Sequence, residues 1–147
     1  LVAAVEDIEV GEEILSRDEV EARYVDWRER VDQLMNRLAE WARDAGGEVA
    51  RSDLPPKAED LLSKYAVAPV SLPKLEITIN GAFAKVEPFG LWVIGANGRV
   101  DIKTRRGVFK LVDVALPFDA PHWRIAGPGY RLAPALSASV FIELLRG

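Results

Sequence analysis

The chain has 147 residues, is 49% apolar and 29% charged, carries a net charge of −4 and contains no cysteine. That length suits a single domain, 1–147, burying roughly 68–70% of its unfolded surface. The missing cysteine excludes disulfides, thiolate nucleophiles and cysteine-ligated metal centres, and fits a reducing, cytoplasmic location.

No run approaches the ~18 apolar residues of a membrane span, so no membrane partner is expected. Leu1 to Val5 are apolar but lead straight into Glu6, Asp7 and Glu9, unlike a secretory signal. Residues 1–73 hold 17 acids and 9 bases, whereas 74–147 hold 6 acids and 10 bases. The first part reads as mainly helical and the second as mainly β.

Ile8 and Val10 alternate with acids as in a short strand ended by Gly11. Ser16 then reads as a helix N-cap, with Glu19 in the capping-box position. The helix is expected to run to about Ala45, where Gly46-Gly47 stops it. Along it, Val20, Tyr24, Trp27, Val31, Leu34, Leu38 and Trp41 repeat at 4-3-4-3-4-3 spacing, a single apolar seam. Arg23, Arg30 and Arg37 recur every seven residues on one flank, where they select a partner in a coiled coil or merely solvate the rim in a monomer. A helix of about 29 residues spans ~43 Å, as long as a domain of this size is wide.

Residues 46–55 read as a turn-rich connection. Pro55-Pro56 opens a short second helix, about 56–65, with Leu61, Leu62 and Tyr65 on its apolar side. Residues 66–73 form a linker.

From Lys74 the period becomes two. Asn80-Gly81 and Asn97-Gly98 are hairpin signals, because type I′ turns need positive φ at both central residues. Residues 75–79 are therefore paired with 82–87, and 91–95 with 99–104, with Pro88 and Gly90 bracketing a turn between the hairpins. Arg105-Arg106-Gly107 reverses the chain into residues 108–115, and His122 to Ala126 reads as a sixth strand. Pro134 to Leu145 reads as a terminal helix with Leu136, Val140, Phe141, Leu144 and Leu145 inward, though Val140-Phe141-Ile142 also suits a buried strand. The expected fold is α+β: a long N-terminal helix and a short second helix packed on an antiparallel meander of five or six strands, with a C-terminal helix.

Signatures of catalysis are sparse. There is no nucleophile elbow, phosphate loop or dinucleotide fingerprint, and His122 is the single histidine. Glu87 followed by Asp101-Ile102-Lys103 resembles the acid and acid-x-lysine of restriction-type nucleases. That resemblance implies two magnesium-binding carboxylates and a lysine stabilising the attacking hydroxide or the developing phosphorane charge. The family normally has Asp after Pro where this chain has Glu87 before Pro88, and its core uses strand-helix crossovers. Arg99, Lys103, Arg105, Arg106 and Lys110, with Phe109 beside them, form a basic hairpin that could track a nucleic-acid backbone. A sequence pI near 5.1 disfavours a dedicated nucleic-acid binder. Phe89 and Trp92 surround Gly90 as a candidate aromatic pocket lip.

The leading expectation is a non-catalytic protein–protein interaction or assembly module. It would act through the seam or the sheet edge on a protein partner or a second copy as a homodimer, with no cofactor and no metal. The alternatives are a nucleic-acid-associated domain using residues 99–110, with magnesium-dependent cleavage as its sharper form, and a small-ligand domain enclosing a pocket.

Overall fold

The computed structural model describes residues 15–130 and 133–146; the strand expected over Ile8 and Val10 lies outside them. The fold is α+β. Helix α1 is Arg17–Asp44, β1 is Glu48–Asp53 and α2 is Asp60–Lys64. Strands β2 (Pro73–Ile79), β3 (Ala82–Val93), β4 (Ala96–Thr104), β5 (Gly107–Asp113) and β6 (Trp123–Ala126) follow, and α3 is Ala138–Arg146. The six strands lie side by side in chain order, every pair antiparallel. Among the described residues no helix is long and apolar enough to cross a membrane.

Local chemistry sets the start of α1. Ser16 Oγ accepts from the Glu19 N–H at 3.1 Å, and Glu19 Oε1 accepts from the Ser16 N–H at 2.9 Å, a complete capping box. The seam then lies against the sheet. Val20, Trp27, Val31 and Leu38 are fully buried, Tyr24 and Leu34 nearly so, and Met35 and Ala42 widen the stripe. Trp41, partly buried, meets Phe141 of α3 with ring centroids 6.2 Å apart. The inward positions of the sheet alternate: Leu75, Ile77 and Ile79 on β2, Val100 and Ile102 on β4, Phe109 and Leu111 on β5. The facing positions, Lys85, Glu87, Asp101, Lys103 and Lys110 among them, lie on the opposite side of the sheet.

Four expectations are corrected. Residues 48–53 are strand β1, because the register Glu48↔Thr78 to Asp53↔Pro73 places them on the sheet edge. Their near-complete exposure hides any period-two signal. Helix α2 has 5 residues and fully buries Leu62 alone; Glu59 ahead of it makes no side-chain cap, its carboxylate being engaged by β3.

Residues 82–93 are one strand. Pro88 and Gly90 delimit a bulge, since Pro88 pairs with Val100 and Gly90 with Arg99, leaving Phe89 unpaired. The β2 pairing ends at Val86, so Pro88 has no ladder bond to donate on that side. Beyond it, the Leu91 and Trp92 N–H groups donate to the Glu59 carboxylate at 3.1 and 3.2 Å.

Asn80-Gly81 does form the expected turn, with φ of +49 and +79. Asn97-Gly98 does not. The β3–β4 turn falls at Ile94-Gly95, closed by Val93↔Ala96, and Asn97 and Gly98 are buried within β4. Both answer to α1: Arg23 donates to Asn97 Oδ1 at 3.1 Å, and Gly98, at φ +106, leaves room for the Trp27 ring. The C-terminal segment forms helix α3, burying Phe141, Leu144 and Leu145, which settles the helix-or-strand ambiguity there.

Candidate functional site

The seam proposed as an interaction surface is internal core. Val20, Tyr24, Trp27, Val31, Leu34 and Leu38 are covered by the chain's own sheet, so none of the six presents a surface to a partner. The heptad pattern reported a helix lying along something long, and that object is the sheet.

The acid and acid-x-lysine set does come together. Glu87 and Asp101 face each other across β3 and β4, with Lys103 one diagonal position away. Each carboxylate is engaged by a cation. Lys103 Nζ donates to Glu87 Oε1 at 2.9 Å, and Arg99 grips Asp101 through Nε at 2.7 Å and a second nitrogen at 3.1 Å. Among the described residues no group of three His, Cys, Asp or Glu side chains is arranged to hold a metal ion. Both acids are therefore engaged by cations, Glu87 across the two strands by Lys103 and Asp101 within β4 by Arg99.

The hydrogen bond from Lys103 holds the Glu87 carboxyl below its ordinary range, and the same contact raises the Lys103 ammonium. A depressed carboxyl stabilises the fold above its unfolded value of about 4.3, and that contribution disappears as pH falls through the lower folded value. Lys103 is half exposed, so solvent screens the pair and limits it to at most ~1 kcal/mol. Melting Lys103→Met beside the wild type from pH 7 to pH 3 should show the gap in Tm close in acid. A gap unchanged at pH 3 rules the pair out as its source.

The basic hairpin is largely engaged within the fold. Arg99 and Lys103 are paired as above, Arg99 also lies 3.9 Å from the Phe89 ring centroid, and Arg106 donates to the Leu144 carbonyl at 3.1 Å. Arg105 and Lys110 stay exposed. Phe109 is fully buried on the helix side of the sheet, so no base can stack on it beside Lys110.

Phe89, thrust out by the bulge, does form a lip. Lys57 sits over its ring at 4.8 Å and donates to its carbonyl at 2.9 Å, while Arg99 lies at the same ring. Behind it is a cleft of about 230 Å³ walled by Tyr24, Trp27, Leu72 and Pro88. That is below the ~300–1,000 Å³ of drug-sized sites. Trp92 is not in that wall; it lies beside Arg23 instead.

Sequence reasoning missed the arrangement around Arg30, the middle member of the arginine stripe. It is 3% exposed and meets Asp113, which is 0% exposed, with nitrogen to oxygen at 2.6 Å; Nε also reaches Asp26 Oδ2 at 2.6 Å. Burial works against the charge, but the hydrogen bonds to Asp26 and Asp113 outweigh it and raise the guanidinium's pKa. The remaining nitrogen donates to the carbonyls of Leu116 and Asp119. Asp113 Oδ1 accepts from the backbone N–H groups of Ala115 at 3.0 Å and His122 at 2.9 Å, and Asp26 accepts from that of Phe118. His122 thus contributes main chain to the network.

The bonds of this network to main-chain groups converge on residues 114–122, the β5–β6 loop. A signal was present: Phe109, Leu111 and Asp113 share the inward parity, and an acid at an inward strand position calls for a buried cation. The fixed loop nevertheless holds Leu116 70% and Phe118 61% exposed, with Phe118 at φ +70. Ile94, 96% exposed at the β3–β4 turn, lies at the same end of the sheet, because antiparallel strands return every second turn to one end. Comparison with family models, with curated proteins and with solved structures gives no match to this chain.

Proposed function

We propose that the chain is a non-catalytic protein-binding module whose recognition element is the β5–β6 loop. The observation that carries this reading is the contrast inside that loop. Its backbone is tied down by a buried ion pair, while Leu116 and Phe118 stand in water. Large side chains held out from an ordered backbone lose little entropy on docking, and aromatic anchors dominate binding energy at interfaces. The left-handed backbone at Phe118 is strained for an aromatic residue, and such strain concentrates at ligand contacts.

A benzophenone amino acid at position 118 tests this, with one at the exposed position 110 as control. A discrete crosslinked product from 118 and none from 110 is expected in the native cell, its mass distinguishing another protein from a second copy. Phe118→Asn, which suits a left-handed backbone, should weaken that complex by about 30-fold or more and leave Tm unchanged or higher. Equal products at both positions, or unfolding of Phe118→Asn, removes the reading.

A further inference from the structure

Among the described residues, the buried side-chain nitrogens and oxygens without a partner are Arg23 Nε, Trp27 Nε1, Trp92 Nε1 and Asn97 Nδ2. All four are donors, and they belong to one corner of the fold. Arg23 reaches Asn97 Oδ1 at 3.1 Å and lies 5.8 Å from the Trp92 ring centroid. Trp92 and Asn97 are direct cross-strand partners on β3 and β4. The Trp27 ring covers Gly98, the next residue along. Native proteins pair nearly all of their buried polar groups, so unpaired donors on four neighbouring residues, with no unpaired side-chain acceptor among them, call for a ligand that brings acceptors.

Arg23 makes no ion pair among the described residues, its neighbour Asp26 being engaged by Arg30. Burial is the main influence on its guanidinium and lowers its pKa, with Asp26 opposing and Arg30 reinforcing that effect. We propose that Arg23, Trp27, Trp92 and Asn97 form a binding site for a small molecule carrying a carboxylate on an apolar or aromatic body. A carboxylate accepts without donating, and its single charge matches the single cation in the set. The indoles supply walls for the body, and Trp27 also borders the cleft behind Phe89. Arg23 and Trp92 are only partly buried, so access runs between them. This site is separate from the loop of the preceding section, and neither depends on the other.

Calorimetric melting at fixed ionic strength with benzoate, acetate or inorganic phosphate tests it. Benzoate should raise Tm saturably, by about 4–5 °C at tenfold excess over Kd, with acetate weaker and phosphate weaker still. Arg23→Met should abolish the rise, and Arg43→Met, on an exposed part of α1, should keep it. Without additive, Arg23→Met should melt somewhat below the wild type, because it strands the buried Asn97 Oδ1 that Arg23 holds. The proposal is overturned by the absence of a saturable rise, by the same rise in Arg23→Met, or by phosphate matching benzoate. It is equally overturned by a benzoate-soaked crystal with water only on the four nitrogens.

Discussion

Gly98→Ala is expected to cost about 3–5 kcal/mol and to lower Tm by roughly 10–15 °C. Two effects add. At φ +106 any side chain is strained, and the new Cβ would fall 2.1 Å from Cζ3 of Trp27. Trp27 is fully buried beneath α1 and cannot retreat without moving the helix or the neighbouring Trp123, whose ring centroid is 6.4 Å away. Gly95→Ala separates the terms. Its φ is +83, yet nothing lies within 4 Å of the added Cβ, so it should cost only the backbone part, about 1–2 kcal/mol. Urea melts of both variants give the comparison. Equal losses would mean that the Trp27 contact contributes nothing, and the account of why Asn97-Gly98 is not the turn would go with it.

That misplaced turn illustrates what the sequence could convey. Features decided within a few residues were legible: the Ser16–Glu19 capping box, the Asn80-Gly81 hairpin, and the seam with its direction of burial. Asn97-Gly98 carries the same local chemistry as Asn80-Gly81 but lies under α1, some seventy positions earlier in the chain, and tertiary contact overrides the turn preference. Strand β1 was illegible for the opposite reason. An exposed edge strand buries almost nothing, so its sequence has no period to read. The seam shows a further limit: periodicity reports that a face is buried and is silent about what buries it. The proposed binding surfaces rest on Leu116, Phe118 and the unpaired donors around Arg23; no spacing marks Leu116 or Phe118, and the heptad spacing of Arg23 and Trp27 does not report an unpaired donor.

Asp113→Leu should be comparably severe, at about 3–5 kcal/mol, because it leaves Arg30 charged and buried with only Asp26 opposite it. Arg30→Met should cost a similar amount by stranding the Asp113 carboxylate, which retains two backbone donors but loses its cation. The informative protein is the double variant Arg30→Met with Asp113→Leu. Replacing both members of a buried pair with apolar groups of similar volume is often close to neutral. The double variant should therefore recover most of the lost stability, with a coupling energy of at least ~2 kcal/mol. Losses that add to within ~0.5 kcal/mol would show that the two residues do not act as a pair. Recovered stability should not bring back the loop. With Arg30 gone, the carbonyls of Leu116 and Asp119 lose their donor, and with Asp113 gone the Ala115 and His122 N–H groups lose their acceptor. Hydrogen exchange at residues 115 and 122 should accelerate in the double variant while that of the α1 and β2 amides stays slow. A stable double variant with an unprotected loop would identify the pair as the device that holds Leu116 and Phe118 in place. If protection at 115 and 122 survives, the loop is ordered by its own backbone, and the ion pair serves the core alone.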